Sequence, residues 1–460
     1  MCRIIIITLL LLTRAASFGI DLEIPGAEPF LKWDAKERRF SGAIDGAPVK
    51  KVAAKIGATT GWKVYLDPAA DQHVSAQFTN RASGEALRLM LGGMNFAVVP
   101  QKEGPSKLFI FRNSMRDATE FVEPSQQAAR GKDWIPNEVI VSLTKGSKTD
   151  IDALAKALGA KIVARDDKLK TYRLQFDSEA DAEKARNQLA TRSDARVDDN
   201  FHARPPENTG IYQASGSPKF DLTPDAAVDG SYITVAMIDT PVQDLGPERN
   251  RFLLDTINVA GAANPETLKS PVPTHGTSMA DTIFNSWAAG RDSKVKLRLR
   301  PINAYGDREA TTTWDVLRAF VEAVRSGADV VSMSLGGDGS SPLMDEVMGQ
   351  ARRQGVAIFA AAGNAPTTNP TYPAANPNVW AVTAADGRGN IAPYANRGAF
   401  IDFIAPGTSF VDYGATTYRV TGTSPATATL AGEMGLLLSQ GYSVPQAEEA
   451  LRQRYSYRAR

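Results

Sequence analysis

Four side chains in the C-terminal half of the sequence have the chemistry needed for acyl transfer by a serine nucleophile. They are Asp239, His275, Asn364 and Ser424. A serine hydroxyl is a weak nucleophile, so it needs a neutral imidazole to accept its proton. The imidazole needs a carboxylate that fixes its tautomer and stabilises its positive charge. The oxyanion that develops needs hydrogen-bond donors, which Asn364 and the backbone N–H of Ser424 could supply.

The tripeptide Gly-Thr-Ser occurs three times, so Ser278, Ser409 and Ser424 compete as the nucleophile. Ser278 follows His275 in one predicted helix, where its side chain cannot easily point into the same site. Ser409 follows "APG" in a predicted loop. Ser424 precedes a proline and the small residues "ATATLAG", which is typical of the first turn of a buried helix. This pattern favours Ser424.

Each of these residues taken alone also has an ordinary structural explanation. An aspartate at the end of a strand can cap a helix, and an asparagine after glycine can be a turn residue. A Gly-Thr-Ser tripeptide can be part of a loop. The catalytic interpretation therefore requires a fold that brings the four residues together.

Alternating strands and helices over residues 207–460 predict an α/β fold, a parallel sheet with helices on both faces. The predicted strands include "YITVAMID", "DVVSMSLGG", "VAIFAAAGN" and "NVWAVTAAD", and "TTTWDVLRAFVEAVRSG" predicts a helix. Sites in such sheets form at the carboxyl ends of the strands, where Asp239, Gly336 and Asn364 lie. His275 and Ser424 each begin a predicted helix near the same edge.

The motifs and their order strongly resemble the subtilisin-like serine proteases. The resemblance extends over about residues 233–432 and rests on "VAMIDT", "HGTSMADTI", "VVSMSLGG", "AAAGN", "YPA", "IAPG" and "GTSPA". It implies that Asp239 orients His275, that His275 is the base and that Ser424 is the nucleophile. Asn364 would be the oxyanion donor, and Ser334, Leu335, Gly336 and Gly363 would bind the substrate, with the strand at 334–336 pairing to its backbone.

Some positions differ from the usual family pattern. Pro241 and Asp281 stand where the family usually has glycine, and Ser278 stands where it usually has a second histidine. We therefore keep two hypotheses of different class. The first is a serine endopeptidase made as a zymogen. The second is a binding or signalling protein with a degenerate or only self-cleaving protease domain; a hydrolase of small esters is a third and more distant alternative.

Four segments precede the predicted peptidase domain. Residues 1–18 have the early positive charge, short apolar run and small residues of a secretory signal peptide. Residues 35–115 resemble the short N-terminal domain of secretins and TonB-dependent receptors. Residues 116–133 form a predicted linker. Residues 134–206 have a β-α-β-β-α-β order that resembles the propeptide of subtilisin-like proteases, so the peptidase domain follows two small α+β domains.

The composition excludes several other classes of function. A net charge of +1 argues against binding to nucleic acid. The only cysteine is Cys2 and the only histidines are His73, His202 and His275, which argues against disulfides, cysteine nucleophiles and most zinc sites. We expect no metal ligands and no required cofactor, although a structural calcium ion without assigned ligands stays possible.

The sequence also predicts where the protein acts and what it contacts. Removal of residues 1–18 would leave no transmembrane span, and we expect a secreted or periplasmic protein. Its expected partners are protein or peptide substrates, with a possible partner protein for the N-terminal domain.

Overall fold

The computed structural model describes residues 30–34, 36–70, 72–101, 104–122, 133–206, 211–214, 220–224, 232–290 and 294–457. The predicted signal peptide and most of the predicted linker lie outside these residues. Within the described ranges, no helix is both long enough and apolar enough to cross a membrane.

The N-terminal unit has two small sheets and two helices around one apolar core. The two helices each bury an apolar face in this core, including Val52 and Ile56 in the first and Leu87 and Met90 in the second. The sheets have the strand orders β1-β2-β4 and β5-β6-β3-β7. The elements are β1 (Phe30–Asp34), β2 (Arg39–Pro48), α1 (Val49–Thr60), β3 (Lys63–Leu66), β4 (His73–Ala82), α2 (Ser83–Met90), β5 (Asn95–Val99), β6 (Lys107–Phe111) and β7 (Glu120–Val122).

The boundaries of this unit differ from the predicted range of 35–115. Strand β1 begins at Phe30, and β7 pairs antiparallel with β3 inside the predicted linker. This pairing makes β7 part of the sheet, and the side chain of Val122 is therefore buried in the same core as those of β3. The strand was missed because three residues are too few to show a periodic pattern.

The second unit is an antiparallel sheet with two helices on one face. Its elements follow in the predicted β-α-β-β-α-β order, and its strands have the spatial order β11-β8-β10-β9. Tyr172, Leu174, Ala185 and Leu189 are among the residues of its own core. The elements are β8 (Trp134–Leu143), α3 (Ile151–Leu158), β9 (Lys161–Asp166), β10 (Thr171–Gln175), α4 (Glu179–Leu189) and β11 (Ala195–Ala203).

The third unit is built from short strands, a large sheet and several long helices. Its strands are β12 (Ile211–Ala214), β13 (Thr223–Pro224), β14 (Ile233–Asp239), β15 (Ile257–Asn258), β16 (Lys294–Val295), β17 (Leu297–Asn303), β18 (Thr311–Thr312), β19 (Val330–Met333), β20 (Ala357–Ala361), β21 (Trp380–Ala385), β22 (Phe403–Pro406), β23 (Thr408–Tyr413) and β24 (Thr416–Thr421). Its helices are α5 (Pro247–Asn250), α6 (Pro265–Lys269), α7 (His275–Ala288), α8 (Thr313–Arg325), α9 (Pro342–Arg353), α10 (Thr423–Ser439) and α11 (Val444–Tyr455).

The large sheet is parallel throughout and confirms the predicted α/β fold. Its seven strands have the order β15-β17-β14-β19-β20-β21-β22. Helices α8 and α9 share one apolar core with the sheet, whereas α7, α10 and α11 share another. The strands are buried on both faces, so they appear in the sequence as nearly continuous apolar runs.

Candidate active site

The carboxylate of Asp239 and the imidazole of His275 are hydrogen-bonded at the carboxyl end of β14, an interior strand of the large sheet. Asp239 Oδ1 lies 2.7 Å from His275 Nδ1. The side chain of Asp239 is 1% exposed and that of His275 is 13% exposed, so little water competes for this bond. An ionised carboxylate can only accept, so Nδ1 carries the proton and Nε2 is left as the acceptor. The pair can therefore take a proton from a neighbouring hydroxyl.

The first turn of α7 places His275 beside Asp239. Thr274 caps the helix by accepting a hydrogen bond from the backbone N–H of Thr277 at 3.0 Å. The backbone N–H of Gly276 donates to Thr240 Oγ1 at 2.8 Å. A Cβ at Gly276 would lie 2.1 Å from the carbonyl oxygen of Thr240, so any larger residue would push α7 away from β14. Glycine is therefore required for the approach of the imidazole to the carboxylate.

Ser424 lies in the first turn of α10 and faces the same small cavity as His275 and Asn364. Gly422, two residues before Ser424, has φ 148°, a conformation that favours glycine. The chain turns sharply there to enter the helix. Ser424 is 3% exposed. Its Oγ has no hydrogen-bond partner among the described residues, His275 included. The hydroxyl is thus in the site without yet being bonded to the imidazole, which is common before a substrate is bound.

Asn364 is oriented by the residue before Ser424. Its Oδ1 accepts hydrogen bonds from the backbone N–H of Thr423 at 2.9 Å and from Thr423 Oγ1 at 3.0 Å. Thr423 Oγ1 in turn accepts from the backbone N–H of Gly363 at 3.1 Å. Because the oxygen is held on both donors of Thr423, the amide nitrogen is turned to the other side as a donor. This arrangement fits a side chain that stabilises negative charge.

The other two serines of the Gly-Thr-Ser tripeptides are bonded elsewhere. Ser278 Oγ donates to the carbonyl oxygen of Thr274 at 3.0 Å, one turn back in α7. Ser409 Oγ accepts from Thr282 Oγ1 at 3.0 Å. Ser278 lines the same cavity as Ser424, but its hydroxyl is engaged with the helix backbone. Only Ser424 of the three combines a place in the cavity with an unbonded hydroxyl.

The segment that follows strand β11 pairs with Gly336 and then lines the cavity of Ser424. His202 and Ala203 pair antiparallel with β18. The backbone of Arg204 exchanges two hydrogen bonds with Gly336, at 3.0 and 2.9 Å. Pro206 then lines the cavity that contains His275, Asn364 and Ser424. The predicted substrate-binding strand is therefore occupied by the chain itself.

The remaining predicted substrate-binding residues surround this segment. Leu335 is fully buried and lines a second cavity together with Phe201, His202 and Ala203. Ser334 Oγ donates to the carbonyl oxygen of Ser424 at 3.4 Å. The structure thus brings together Ser334, Leu335, Gly336 and Gly363 with the four predicted catalytic residues. His73 lies at the start of β4 in the N-terminal unit and does not line the cavity of Ser424.

Two polar side chains of β11 cap helices of the third unit. Asp198 Oδ2 accepts from Ser341 Oγ at 2.7 Å and from the backbone N–H of Leu343 at 2.9 Å, at the start of α9. Asn200 Oδ1 accepts from the backbone N–H of Trp314 at 3.2 Å, at the start of α8. A helix N-terminus has unsatisfied N–H groups and a partial positive charge, so these contacts attach the second unit to the third.

A buried charge cluster ties the helix of His275 to the β23–β24 hairpin. Asp281 is fully buried and forms an ion pair with Arg249. Asp281 Oδ2 also accepts from the backbone N–H of Asp412 at 2.8 Å, and Arg249 Nη2 lies 3.3 Å from Asp412 Oδ2. Burial raises the pKa of Asp281 to about 6, although Arg249 opposes the shift. The residue that departs from the family pattern is therefore a structural contact between two elements of the site.

Sequence reasoning missed Thr423, Asp198 and Asn200. The first belongs to the same tripeptide as Ser424, which draws attention to the serine alone. Asp198 and Asn200 are two positions apart in β11, so both lie on one face of the strand. This spacing was the signal in the sequence that could have predicted a polar docking face.

Among the described residues, no group of three or more His, Cys, Asp or Glu side chains could hold a metal ion.

Comparison with known proteins supports the resemblance over most of the chain. The model of the Subtilase family matches residues 230–456, and the model of the Fervidolysin N-terminal prodomain matches residues 122–197. The chain is 30% identical to Thermitase from Thermoactinomyces vulgaris over 226 residues, which is 48% of this chain and 81% of Thermitase. It is 32% identical to Subtilisin from Bacillus pumilus over 231 residues, covering 46% of this chain and 78% of that protein.

Two longer similarities include the second unit. The chain is 27% identical to the Thermophilic serine proteinase of Bacillus sp. (strain AK1) over 330 residues, covering 70% of this chain and 82% of that protein. The crystal structure of fervidolysin from Fervidobacterium pennivorans, a keratinolytic enzyme related to subtilisin, matches with a TM-score of 0.54 at 21% identity. That match covers 70% of this chain and 58% of fervidolysin, and at this identity it shows a shared fold.

Proposed function

The chain belongs to the subtilase family and is a subtilisin-like serine endopeptidase with a fervidolysin-like prodomain, and we propose that its catalytic groups are Asp239, His275, Ser424 and Asn364. The observation that carries this assignment is the 2.7 Å hydrogen bond between the buried Asp239 and His275. It leaves Nε2 of His275 as a proton acceptor in the cavity that contains Ser424.

The proposed reaction proceeds through an acyl-enzyme. Ser424 Oγ attacks the carbonyl carbon of the scissile bond while His275 Nε2 takes the hydroxyl proton. The carbonyl oxygen becomes an oxyanion that accepts from the amide of Asn364 and the backbone N–H of Ser424. The imidazolium, stabilised by Asp239, then gives its proton to the leaving amine as the C–N bond breaks. Water, activated by the same imidazole, hydrolyses the ester and restores Ser424.

The enzyme is proposed to be made as a zymogen that its own prodomain inhibits. Arg204 pairs with Gly336, and Pro206 lies in the cavity of Ser424, so the cleft cannot accept another polypeptide. The first bond to be cut would lie between Pro206 and Ile211, because both residues line this cavity. After the cut, the prodomain would stay bound through the contacts of Asp198 and Asn200 until it dissociates or is degraded.

Two further proposals concern the N-terminal part of the chain. The signal-like sequence of residues 1–18 supports export to the periplasm or the medium. The resemblance of residues 35–115 to the short domain of secretins and TonB-dependent receptors supports binding of a partner protein. A structural calcium ion stays a separate possibility, to be tested by the effect of a chelator on thermal stability.

The test is hydrolysis of an internally quenched peptide by the self-processed full chain and by matched variants. Ser424→Ala should be inactive and should stay uncut in the junction between Pro206 and Ile211, as measured by intact mass. Ser278→Ala is the matched control, because Ser278 lines the same cavity but bonds to its own helix. It should keep most of the activity. An active Ser424→Ala variant would refute the assignment of the nucleophile.

A further inference from the structure

Asn396, in the segment between β21 and β22, is a buried asparagine whose amide forms four hydrogen bonds. It is 2% exposed. Its Nδ2 donates to the carbonyl oxygen of Ala362 at 2.7 Å and to Thr371 Oγ1 at 3.1 Å. Its Oδ1 accepts from the backbone N–H of Ala365 at 2.9 Å and from that of Thr367 at 3.4 Å. An amide has two donor hydrogens and two acceptor lone pairs, so these bonds use its full capacity.

The partners of Asn396 lie on both sides of Asn364 in the chain. Ala362 is two residues before Asn364, and Ala365 is the residue after it. The backbone N–H of Asn396 also donates to the carbonyl oxygen of Gly363, at 2.9 Å. Asn396 is therefore bonded to the residues immediately before and immediately after the proposed oxyanion donor.

The approach of Asn396 to this segment is close. A Cβ at Gly363 would lie 2.6 Å from Asn396 Nδ2, so a larger residue there would displace the amide. The chain just beyond Asn364 is exposed at Ala365 and at Pro366. Burial of these side chains therefore does little to fix the backbone after Asn364, and the bonds to Asn396 supply the constraint.

Asn364 thus has two anchors, which come from different parts of the fold. Thr423 of α10 holds its side-chain oxygen, and Asn396 holds the backbone on either side of it. The first anchor fixes the rotation of the amide, and the second fixes the Cα from which the side chain extends. A donor is effective when it is already aimed at the place where the oxyanion forms, and this requires both anchors.

Resting on the function proposed above, we propose that Asn396 is a positioning residue for the reaction, which sets the backbone of Asn364 so that its amide reaches the oxyanion of the tetrahedral intermediate. Asn396 does not line the cavity of Ser424, so it acts through Asn364. A displacement of about 1 Å in a catalytic group can lower the rate by a factor on the order of 10². The loss should appear in kcat rather than in KM, because the charge on the oxygen develops only in the transition state.

The test is a double-mutant cycle on kcat. The variants are Asn364→Ala, Asn396→Ala and the two combined, each compared with the parent. The matched control is Asn378→Ala, which also removes a half-buried asparagine amide. The amide of Asn378 donates to the carbonyl oxygen of Asp345 in α9, at 3.1 Å, rather than to the segment around Asn364.

Each protein is left to cut itself until its intact mass shows that the cut is complete. Active sites are then counted by labelling to completion with a fluorophosphonate, and a peptide p-nitroanilide gives KM and kcat per active site. Full labelling of Ser424 shows that the catalytic groups are assembled, which separates a misplaced donor from a misfolded domain. If Asn396→Ala does not fold, Asn396→Ser, which keeps a polar side chain, takes its place in the cycle.

We expect Asn396→Ala to lower kcat by a factor of about 10–100 with KM nearly unchanged, whereas Asn378→Ala keeps the parental kcat. Without the amide of Asn364 there is no donor left to position, so the combined variant should lose no more than Asn364→Ala alone. Losses that multiply in the combined variant, or a parental kcat in Asn396→Ala, would overturn the proposal. If the processed parent is inactive and unlabelled at Ser424, or if Asn364→Ala keeps the parental kcat, the proposed function or its oxyanion donor fails instead.

Discussion

Thr423 holds the amide oxygen of Asn364 with two donors, its backbone N–H at 2.9 Å and its hydroxyl at 3.0 Å. Neither residue forms or breaks a covalent bond in the proposed reaction. The contact links the loop after β20 to the helix that carries Ser424. Orientation of the oxyanion donor and placement of the nucleophile are therefore one structural feature.

Loss of the Thr423 hydroxyl should slow turnover without weakening substrate binding. Thr423→Val removes one of the two bonds to Asn364, and we expect kcat to fall about tenfold with KM nearly unchanged. Thr423→Ser keeps the hydroxyl and should restore kcat. Asn364→Ala removes the oxyanion donor itself, and we expect it to lower kcat by a factor on the order of 10²–10³. Steady-state kinetics on a peptide p-nitroanilide measure all three, and equal losses for the valine and serine variants would argue against this role.

Replacement of the buried carboxylate should abolish most of the activity while the fold is kept. Asp239→Asn would donate to His275 rather than accept from it, which favours the wrong tautomer. We expect kcat to fall by about 10⁴. The activity should be measured on processed protein whose circular dichroism matches the parent. A variant that keeps more than a tenth of the parental kcat would contradict the assignment of Asp239.

Removal of the cap that the prodomain supplies to α9 should weaken inhibition by the prodomain. Asp198 accepts from Ser341 Oγ and from the N–H of Leu343, and loss of a helix cap costs about 1–2 kcal/mol. Asp198→Ala should therefore raise the p-nitroanilide activity of freshly cut, unseparated protein by about tenfold. Asp181→Ala, at an exposed helix start of the prodomain, is the control. Equal activity in both variants would show that Asp198 does not contribute to docking.

The buried Asp281 should make the stability of the catalytic domain depend on pH. Burial raises its pKa to about 6 from an ordinary value of 3.8. Between these values the folded protein holds a proton that the unfolded chain has released. The contribution of this group is therefore complete below about pH 4 and is lost as the pH rises through about 6. A shift of about two pKa units corresponds to about 3 kcal/mol in the free energy of unfolding.

Urea unfolding of the Ser424→Ala precursor, with and without Asp281→Asn, measures this contribution. The free energy of unfolding of the parent minus that of the variant should fall by about 3 kcal/mol between pH 4 and pH 7. The inactive background prevents self-digestion. A difference that rises with pH would mean that the ion pair with Arg249 outweighs burial and lowers the pKa of Asp281.

The large parallel sheet and the convergence of the site residues at one edge of it could both be predicted from the sequence, and one physical property of the strands explains why. Strands buried on both faces are apolar throughout, and the first polar or glycine residue marks their carboxyl ends. Asp239 and Asn364 follow such strands, and a parallel sheet brings those ends to one edge. The fold class was therefore predicted correctly. The catalytic roles of these residues stay predictions until the variants are measured.

Contacts between units could not be predicted from local pattern. Asp198 and Leu343 lie 145 positions apart, and their hydrogen bond depends on how two separately folded units dock. Strand β12, "IYQA", is too short and too polar to show the alternation of a strand. The strand exists because β24 offers it a free edge, and such pairing is a tertiary property.

The central claim is that Ser424 is the activated nucleophile, and labelling with a fluorophosphonate followed by peptide mapping tests it most directly. We predict a single adduct on Ser424 in the self-processed protein, absent in Ser424→Ala and strongly reduced in His275→Gln. The unprocessed precursor should label slowly because Pro206 lies in the cavity. A processed, folded protein that takes no label, or an adduct on Ser278 or Ser409 instead, would contradict the account.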